Sequence, residues 1–108
     1  MSLDPNSLVY VVAQLKVAPG KLDEVLGGFT EMASKVEAGE PGCLSYQYFY
    51  NEKDGELAVF EIYKDMAAVE AHRNSEHFKE ATGARSEGLF TEPPKFSILQ
   101  RKGGFRRF

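Results

Sequence analysis

The chain has few of the features on which several classes of protein depend. It has one cysteine, Cys43, and no tryptophan among its 108 residues. A single cysteine excludes an intrachain disulfide, which suits a reducing cytoplasm. No apolar run approaches the ~20 residues that cross a bilayer. The start, MSLDPNS, lacks the basic and apolar regions of a signal peptide. We therefore expect a cytoplasmic protein without a membrane partner.

A basic field of the kind that binds nucleic acid is also missing. The chain carries 13 basic and 16 acidic side chains, for a formal net charge of −3. Nucleic acid is therefore not an expected partner. The final residues, RKGGFRRF, form a basic tail without an acid. This tail is either a solubilising end or an arm that binds acidic partners.

Motifs for metals and nucleotides are absent too. The Gly-Gly pairs at 27–28 and 103–104 match neither phosphate-binding fingerprint. The two histidines, His72 and His77, lie five residues apart, so they do not share a helix face as an i, i+4 metal pair does. We expect no metal, nucleotide or flavin.

Hydrophobic patterning predicts a single α+β domain over residues 8–101, between a disordered lead-in or expression remnant (1–7) and the basic tail (102–108). Strands are predicted at 8–17, 43–51, 56–64 and 95–101.

Helices fill two of the gaps between these strands. An apolar stripe with i, i+3, i+4, i+7 spacing predicts a helix over 21–38. Asp65 and Ser75 are placed to cap shorter helices over 66–73 and about 76–86. The order β-α-β-β-α-β is that of the ferredoxin-like fold, a four-stranded antiparallel sheet with helices on one face.

The other face of such a sheet is too apolar for a monomer. The first and third strands do not alternate cleanly between apolar and polar residues, as a sheet wetted on one side should. In the second strand, one face is predicted to carry Leu44, Tyr46, Tyr48 and Tyr50. We therefore predict a homodimer in which the two sheets meet.

Glu61 is the first candidate for a functional role. It alternates with Leu57, Val59 and Tyr63 on one face of the third strand. A carboxylate on a buried face must be hydrogen-bonded, paired or protonated. Glu61 is either a structural ion pair or dimer contact, or an acid that orients a ligand in a pocket.

His72 is the second candidate. It shares a helix face with Ala68 and Val69, which should point toward the sheet. An inward histidine is either a satisfied core residue or a group that moves a proton or binds an anionic oxygen. His77 begins the next helix, where we expect it to be exposed.

Aromatic residues give a third group. Five residues are predicted to line a flat apolar pocket, or else to pack in the core or at a dimer seam: Tyr46, Tyr48, Tyr50, Tyr63 and Phe60. Cys43 has no basic neighbour to lower its pKa, so we expect an inert thiol.

The stretch FEIYKDMAAVEAHRNSEHFKE adds a family resemblance. A strand ending in Glu-x-aromatic, a short helix with a histidine, and then Ser-x-His-aromatic resemble the hallmark of the antibiotic-biosynthesis-monooxygenase-like family. That family belongs to the dimeric α+β barrel superfamily. VAPGK, PGCLSYQYF and the last strand after Pro93-Pro94 fit as well, so the resemblance covers about residues 8–101.

The resemblance implies a small aromatic substrate and dioxygen. Related oxygenases act on quinols or polycyclic phenols without metal, flavin or haem. By this resemblance His72 would be the base or the partner of the substrate oxygen, Glu61 and Tyr63 would orient the substrate, and the aromatic residues would clamp its ring. Haem-degrading relatives carry a tryptophan near the His72 position, and this chain has none.

Two alternatives stay open. One is an isomerase of a small keto-sugar phosphate, for which Lys64, Arg73 and Lys79 are the nearby candidates for an anion clamp. The other is a dimeric small-molecule binding module without turnover, in which His72 would be a core residue.

Overall fold

A computed structural model describes residues 3–83 and 86–108 of the protein. This part of the chain forms a four-stranded antiparallel sheet with helices on one face, which confirms the ferredoxin-like α+β prediction. The sheet order is β2-β3-β1-β4. The elements are β1 (Val9–Lys16), α1 (Leu22–Gly39), β2 (Cys43–Asn51), β3 (Glu56–Tyr63), α2 (Met66–Arg73), α3 (Glu76–Thr82) and β4 (Lys95–Leu99). No helix in the described ranges is long and apolar enough to cross a membrane.

The two short helices begin where their capping residues predicted. The Asp65 carboxylate accepts a hydrogen bond from the backbone N–H of Ala68 at 2.8 Å. The Ser75 hydroxyl accepts one from the backbone N–H of Phe78 at 3.2 Å. These side chains satisfy backbone donors that a helix leaves free at its first turn. The bend between the two caps sets α3 at a new angle to α2.

Two elements end at least two residues earlier than predicted. α3 ends at Thr82 instead of near residue 86, because Gly83, a poor helix former, follows it. Residues 84 and 85 of the predicted helix lie outside the described residues. β4 ends at Leu99 instead of residue 101, where its pairing with β1 stops at Tyr10.

The core lies between the sheet and the helices. Strand residues on the helix side are packed against Val25 of α1 and Val69 of α2. Full burial of one such side chain contributes about 1.5–3 kcal/mol relative to exposure. The buried hydrophobic residues of the sheet are Val9, Val11, Ala13, Leu15, Leu57, Val59 and Tyr63.

A bulge in β2 corrects one predicted face. Cys43 pairs with Tyr63 while Ser45 pairs with Ile62, so Leu44 is an extra residue in the strand. Leu44 is 42 % exposed and does not share the tyrosine face. Cys43 packs against the core in its place.

The opposite face of the sheet is apolar, as expected. Phe49 and Phe60 form an edge-to-face pair there, with ring centroids 5.4 Å apart. They are 52 % and 46 % exposed, and Leu99 on the same face is 48 % exposed. The homodimer itself stays a prediction.

The turn after α1 is held closely against α2. The Gly42 carbonyl accepts a hydrogen bond from the backbone N–H of Lys64 at 2.9 Å. A Cβ atom on Gly42 would lie only 2.7 Å from Cβ of Ala68. Because Gly42 has no side chain, the turn approaches α2 closely enough to bring its neighbour Glu40 to the last turn of that helix.

Candidate active site

A cavity of about 450 Å³ opens between the helix side of the sheet, α1 and α3. This volume lies in the range of small-molecule sites. Its walls are mainly apolar and aromatic, with a few titratable groups among them. The lining includes Ala13, Leu15, Val25, Phe29, Met32, Tyr46, Val59, Glu61, His72, His77, Phe78, Phe90 and Phe96.

His72 lies at the inner wall of this cavity. It is 3 % exposed, on the last turn of α2. Its ring is surrounded by aromatic rings, with centroids 5.1 Å from Phe78, 5.7 Å from Tyr46 and 5.9 Å from Tyr63. The imidazole is therefore held in one orientation by packing on several sides.

Glu40 joins the two histidines. Nδ1 of His72 lies 3.0 Å from each Glu40 carboxylate oxygen. Nε2 of His77 contacts Oε2 of the same carboxylate. A carboxylate accepts hydrogen bonds, so both imidazoles donate. Glu40 thereby fixes the proton of His72 on Nδ1.

The other ring nitrogen of His72 faces the cavity. No hydrogen bond among the described residues uses Nε2 of His72. No buried side-chain nitrogen or oxygen in those same residues lacks a partner. Nε2 is therefore not fully enclosed by protein, and because His72 lines the cavity, we assign this nitrogen to the cavity wall. In the neutral ring it carries the lone pair, which can accept a proton from a bound molecule.

Glu61 lies on β3 at the floor of the cavity and is 6 % exposed. Its Oε1 accepts a hydrogen bond from the Tyr63 hydroxyl at 2.5 Å. Burial raises the pKa of Glu61, although the Tyr63 hydrogen bond and the charges of His72 and Arg73 oppose the shift. A carboxyl group whose neutral form is favoured can donate a hydrogen bond as well as accept one.

Tyr46 completes the polar part of the wall. Burial, and next the charge of Glu61, raise the pKa of its hydroxyl, so it stays protonated. Cys43 lies nearby, and burial raises the pKa of its thiol to about 11. A thiol that ionises so weakly is a poor nucleophile near neutral pH.

The fold and this site agree with one family. The family model described as "Antibiotic biosynthesis monooxygenase" matches residues 8–84, which is most of the domain. The chain belongs to the antibiotic biosynthesis monooxygenase family. Proteins of this family bind small molecules and are commonly dimeric.

Solved structures of similar proteins agree with this assignment. A structure from Caulobacter crescentus described as a "putative antibiotic biosynthesis monooxygenase" is 35 % identical, with a TM-score of 0.82, over 92 % of this chain and 93 % of that one. The structure of Rv0793 from Mycobacterium tuberculosis is 28 % identical, with a TM-score of 0.81, over 91 % of this chain and 98 % of that one.

Curated relatives are consistent with the assignment to this family. The "Putative monooxygenase Rv0793" is 30 % identical over 94 residues, which are 87 % of this chain and 91 % of the relative. The "Uncharacterized protein sll1783" from Synechocystis is 28 % identical over 93 residues, which are 85 % of this chain. The match spans 62 % of the length of that second protein.

The predicted site residues of this family member fall into three groups. His72, Glu61, Tyr46 and His77 line one cavity. Tyr63 is fully buried and reaches the site through its hydrogen bond to Glu61. Tyr48 and Phe60 do not line the cavity.

Tyr48 and Phe60 are placed elsewhere for different reasons. The Tyr48 hydroxyl forms a 2.8 Å hydrogen bond with the Thr30 hydroxyl, and its ring packs on Phe29. Phe60 lies on the open face of the sheet, because neighbouring residues of a strand point to opposite sides. Grouping Phe60 in one pocket with Tyr46 was therefore wrong.

The expected exposure of His77 was also wrong. Its side chain is only 19 % exposed and its ring centroid lies 6.1 Å from that of His72. The spacing argument considered only a pair on one helix face, although the prediction already placed His77 on the next helix. They lie on two helices, and the bend at Ser75 returns His77 toward His72.

Glu40 is the site residue that the sequence did not reveal. It is the residue after the last turn of α1, and its side chain is 10 % exposed. In the sequence it stands in a helix stop, GEPG, among residues that end helices. No local pattern marks it as the partner of a histidine 32 positions away.

Proposed function

We propose that the protein is a cofactor-independent monooxygenase that oxidises a quinol, hydroxyquinol or polycyclic phenol with dioxygen. The observation that carries this proposal is His72 at the wall of an aromatic cavity, with Glu40 hydrogen-bonded to its Nδ1. The pair presents a lone pair on Nε2 to a bound molecule, which is what deprotonation of a phenol requires. Dioxygen then meets an electron-rich phenolate shielded from bulk water.

His72 is the proposed general base. Nε2 takes the hydroxyl proton of the substrate, and the imidazolium that forms keeps its Nδ1 hydrogen bond to Glu40. A carboxylate behind a catalytic histidine stabilises the positive charge and holds the ring in the productive tautomer. Glu40 is then a positioning residue.

Glu61 is the proposed partner of a second substrate oxygen. Burial raises its pKa, and in its neutral form the carboxyl would donate a hydrogen bond to a carbonyl or phenolate oxygen. Tyr63 holds one oxygen of that carboxyl through its hydrogen bond. The rings of Tyr46 and Phe78 form flat walls against which an aromatic substrate can pack.

The reaction balances without an external reductant. One atom of dioxygen becomes the oxygen of a new carbonyl at a ring carbon, and the other leaves as water. The substrate loses two hydrogens and supplies all four electrons. The phenolate therefore supplies the electrons, and one of its own ring carbons is the atom that is oxygenated.

The cavity supports an aromatic substrate better than a sugar phosphate. Among the described residues, one lysine and no arginine line the cavity. That lysine, Lys35, pairs with Glu31 at 2.9 Å. The clamp candidates Lys64, Arg73 and Lys79 are exposed and do not line it. Within residues 3–83 and 86–108, the isomerase alternative therefore lacks the anion clamp it needs.

The experiment is oxygen uptake by chelator-treated protein against a panel of quinols and polycyclic phenols. We expect the wild type to consume one dioxygen per product. His72→Ala should lower turnover by on the order of 10²–10⁴-fold with an unchanged circular dichroism spectrum. Glu70→Ala, an exposed change on the same helix, is the control.

Two results would contradict the proposal. An absence of oxygen uptake with every phenol would leave a binding module, which equilibrium binding of the same panel would identify. Uptake that persists undiminished in His72→Ala would show that another group is the base.

A further inference from the structure

We propose that the cluster of Glu40, His72 and His77 binds one divalent transition-metal ion of the zinc type, and that the ion inhibits the enzyme. Binding itself does not depend on the proposed function, whereas inhibition rests on it. The proposal starts from the donor set, which holds two imidazole nitrogens and one carboxylate.

The three donors are already close together. One nitrogen from each histidine and one oxygen of Glu40 all lie within 4.8 Å of one another. On a tetrahedral zinc ion with bonds of about 2.0–2.1 Å, two donors are about 3.3 Å apart. The donors therefore need only small movements. The direct contact between His77 and Glu40 must open so that the ion can enter between them.

The cluster is also placed as a metal site usually is. Its side chains are 4 %, 19 % and 10 % exposed for His72, His77 and Glu40. Each stands on a different element: His72 lies on the last turn of α2, His77 on the first turn of α3, and Glu40 directly after the end of α1. His72 and His77 line the cavity, so the fourth ligand would be a water that reaches the ion from there, as in zinc sites with three protein ligands.

The chemistry of the donors selects the class of ion. Imidazole suits zinc, cobalt, nickel and iron, whereas magnesium and calcium prefer sites made of oxygen alone. Two of the three donors here are imidazoles. We therefore expect Zn²⁺ and Co²⁺ to bind and Mg²⁺ to compete poorly.

A metal ion bound at the cluster would prevent His72 from acting as the general base. The metal would bind Nδ1 of His72, the nitrogen that now donates to Glu40. The proton of a neutral imidazole must then sit on Nε2, so the nitrogen that faces the cavity becomes a donor. His72 can no longer accept the proton of a phenol. The ion would thus act as an inhibitor at the same site.

The first experiment is calorimetric titration of chelator-treated protein with Zn²⁺, together with the visible absorption of a Co²⁺ complex. We expect one ion per chain and the intense bands of tetrahedral Co²⁺. Glu40→Gln and His77→Gln should each weaken Zn²⁺ binding by more than the 10–100-fold loss typical of outer-shell changes. Glu37→Gln, an exposed change on the same helix, should leave affinity unchanged.

The fold and the activity are checked separately. Circular dichroism spectra of metal-free variants show whether each is folded, and His77→Gln provides a second test if Glu40→Gln is unstable. A phenol that the metal-free enzyme oxidises should lose turnover in proportion to Zn²⁺ occupancy.

Each outcome has one meaning. An absence of 1:1 binding, or binding unchanged in both variants, overturns the metal site. Turnover that is unaffected by Zn²⁺, or that requires it, overturns the inhibitory role. Zn²⁺ binding by a protein that oxidises no phenol would leave the metal site standing and reject the proposed function.

Discussion

Both carboxylate oxygens of Glu40 lie 3.0 Å from Nδ1 of His72, although the two residues are 32 positions apart in the chain. The turn at Gly42 brings them together, and Nε2 of His72 is left facing the cavity. The relationship gives a buried histidine a defined tautomer, and the same carboxylate also contacts His77 from its inward position at the end of α1.

Glu40→Gln tests this relationship as a catalytic one. The amide removes the negative charge that stabilises the imidazolium, and its NH₂ group can hold the wrong tautomer of His72. We expect kcat for phenol oxidation to fall by on the order of 10²-fold, with a smaller change in KM. Glu37→Gln on the same helix should match the wild type. Equal activity of the two variants would assign Glu40 a purely structural role.

Glu61 should make stability depend on pH in a specific direction. Burial raises its pKa above the ordinary value of 4.5. Between the unfolded and folded pKa values the unfolded chain has lost the proton and the folded chain keeps it. The free energy of unfolding therefore falls as pH rises through that window.

Glu61→Gln isolates this contribution, because the amide oxygen can still accept the Tyr63 hydrogen bond. Urea unfolding at about pH 4 and about pH 7 should show the variant gaining stability relative to the wild type at the higher pH. A constant difference between the two proteins at both pH values would mean that burial does not favour the neutral carboxyl.

Gly42→Ala should destabilise the fold through one contact. The new Cβ would lie 2.7 Å from Cβ of Ala68, and we expect a loss of about 1–3 kcal/mol, as in other overpacked sites. Ala68→Gly costs about 1 kcal/mol alone but should relieve the clash in the double variant. Gly39→Ala, which meets no atom within 4 Å, is the control. A double variant in which the two losses simply add would contradict this contact.

The open face of the sheet should be the dimer interface. We expect sedimentation of the wild type at about twice the 12.0 kDa chain mass. Phe60→Glu places a charge where a partner sheet would bury it, so it should shift the species toward a single chain. Met66→Glu changes a residue of similar exposure in the helix layer, 43 % against 46 %, and should stay dimeric. A wild type that sediments only as a single chain at micromolar concentration would exclude the dimer.

The sequence by itself determined the local structure. The caps at Asp65 and Ser75 each satisfy a backbone donor three residues away, so the start of each helix follows from a short stretch of chain. The order of elements followed from periodicity, because a period of two and an apolar stripe are local properties. Alternation also placed Glu61 and Tyr63 on one face, where they meet.

Only the tertiary structure decided the composition of the site. Glu40 meets His72 and His77 across 32 and 37 positions, and such a meeting depends on the angle between helices and on a glycine contact. A helix end bearing glutamate looks the same in sequence whether it faces solvent or a histidine. The bulge at Leu44 likewise follows from how β2 pairs with β3. Local hydrogen bonds and periodicity are encoded residue by residue, whereas contacts between distant elements depend on the packing of the whole domain.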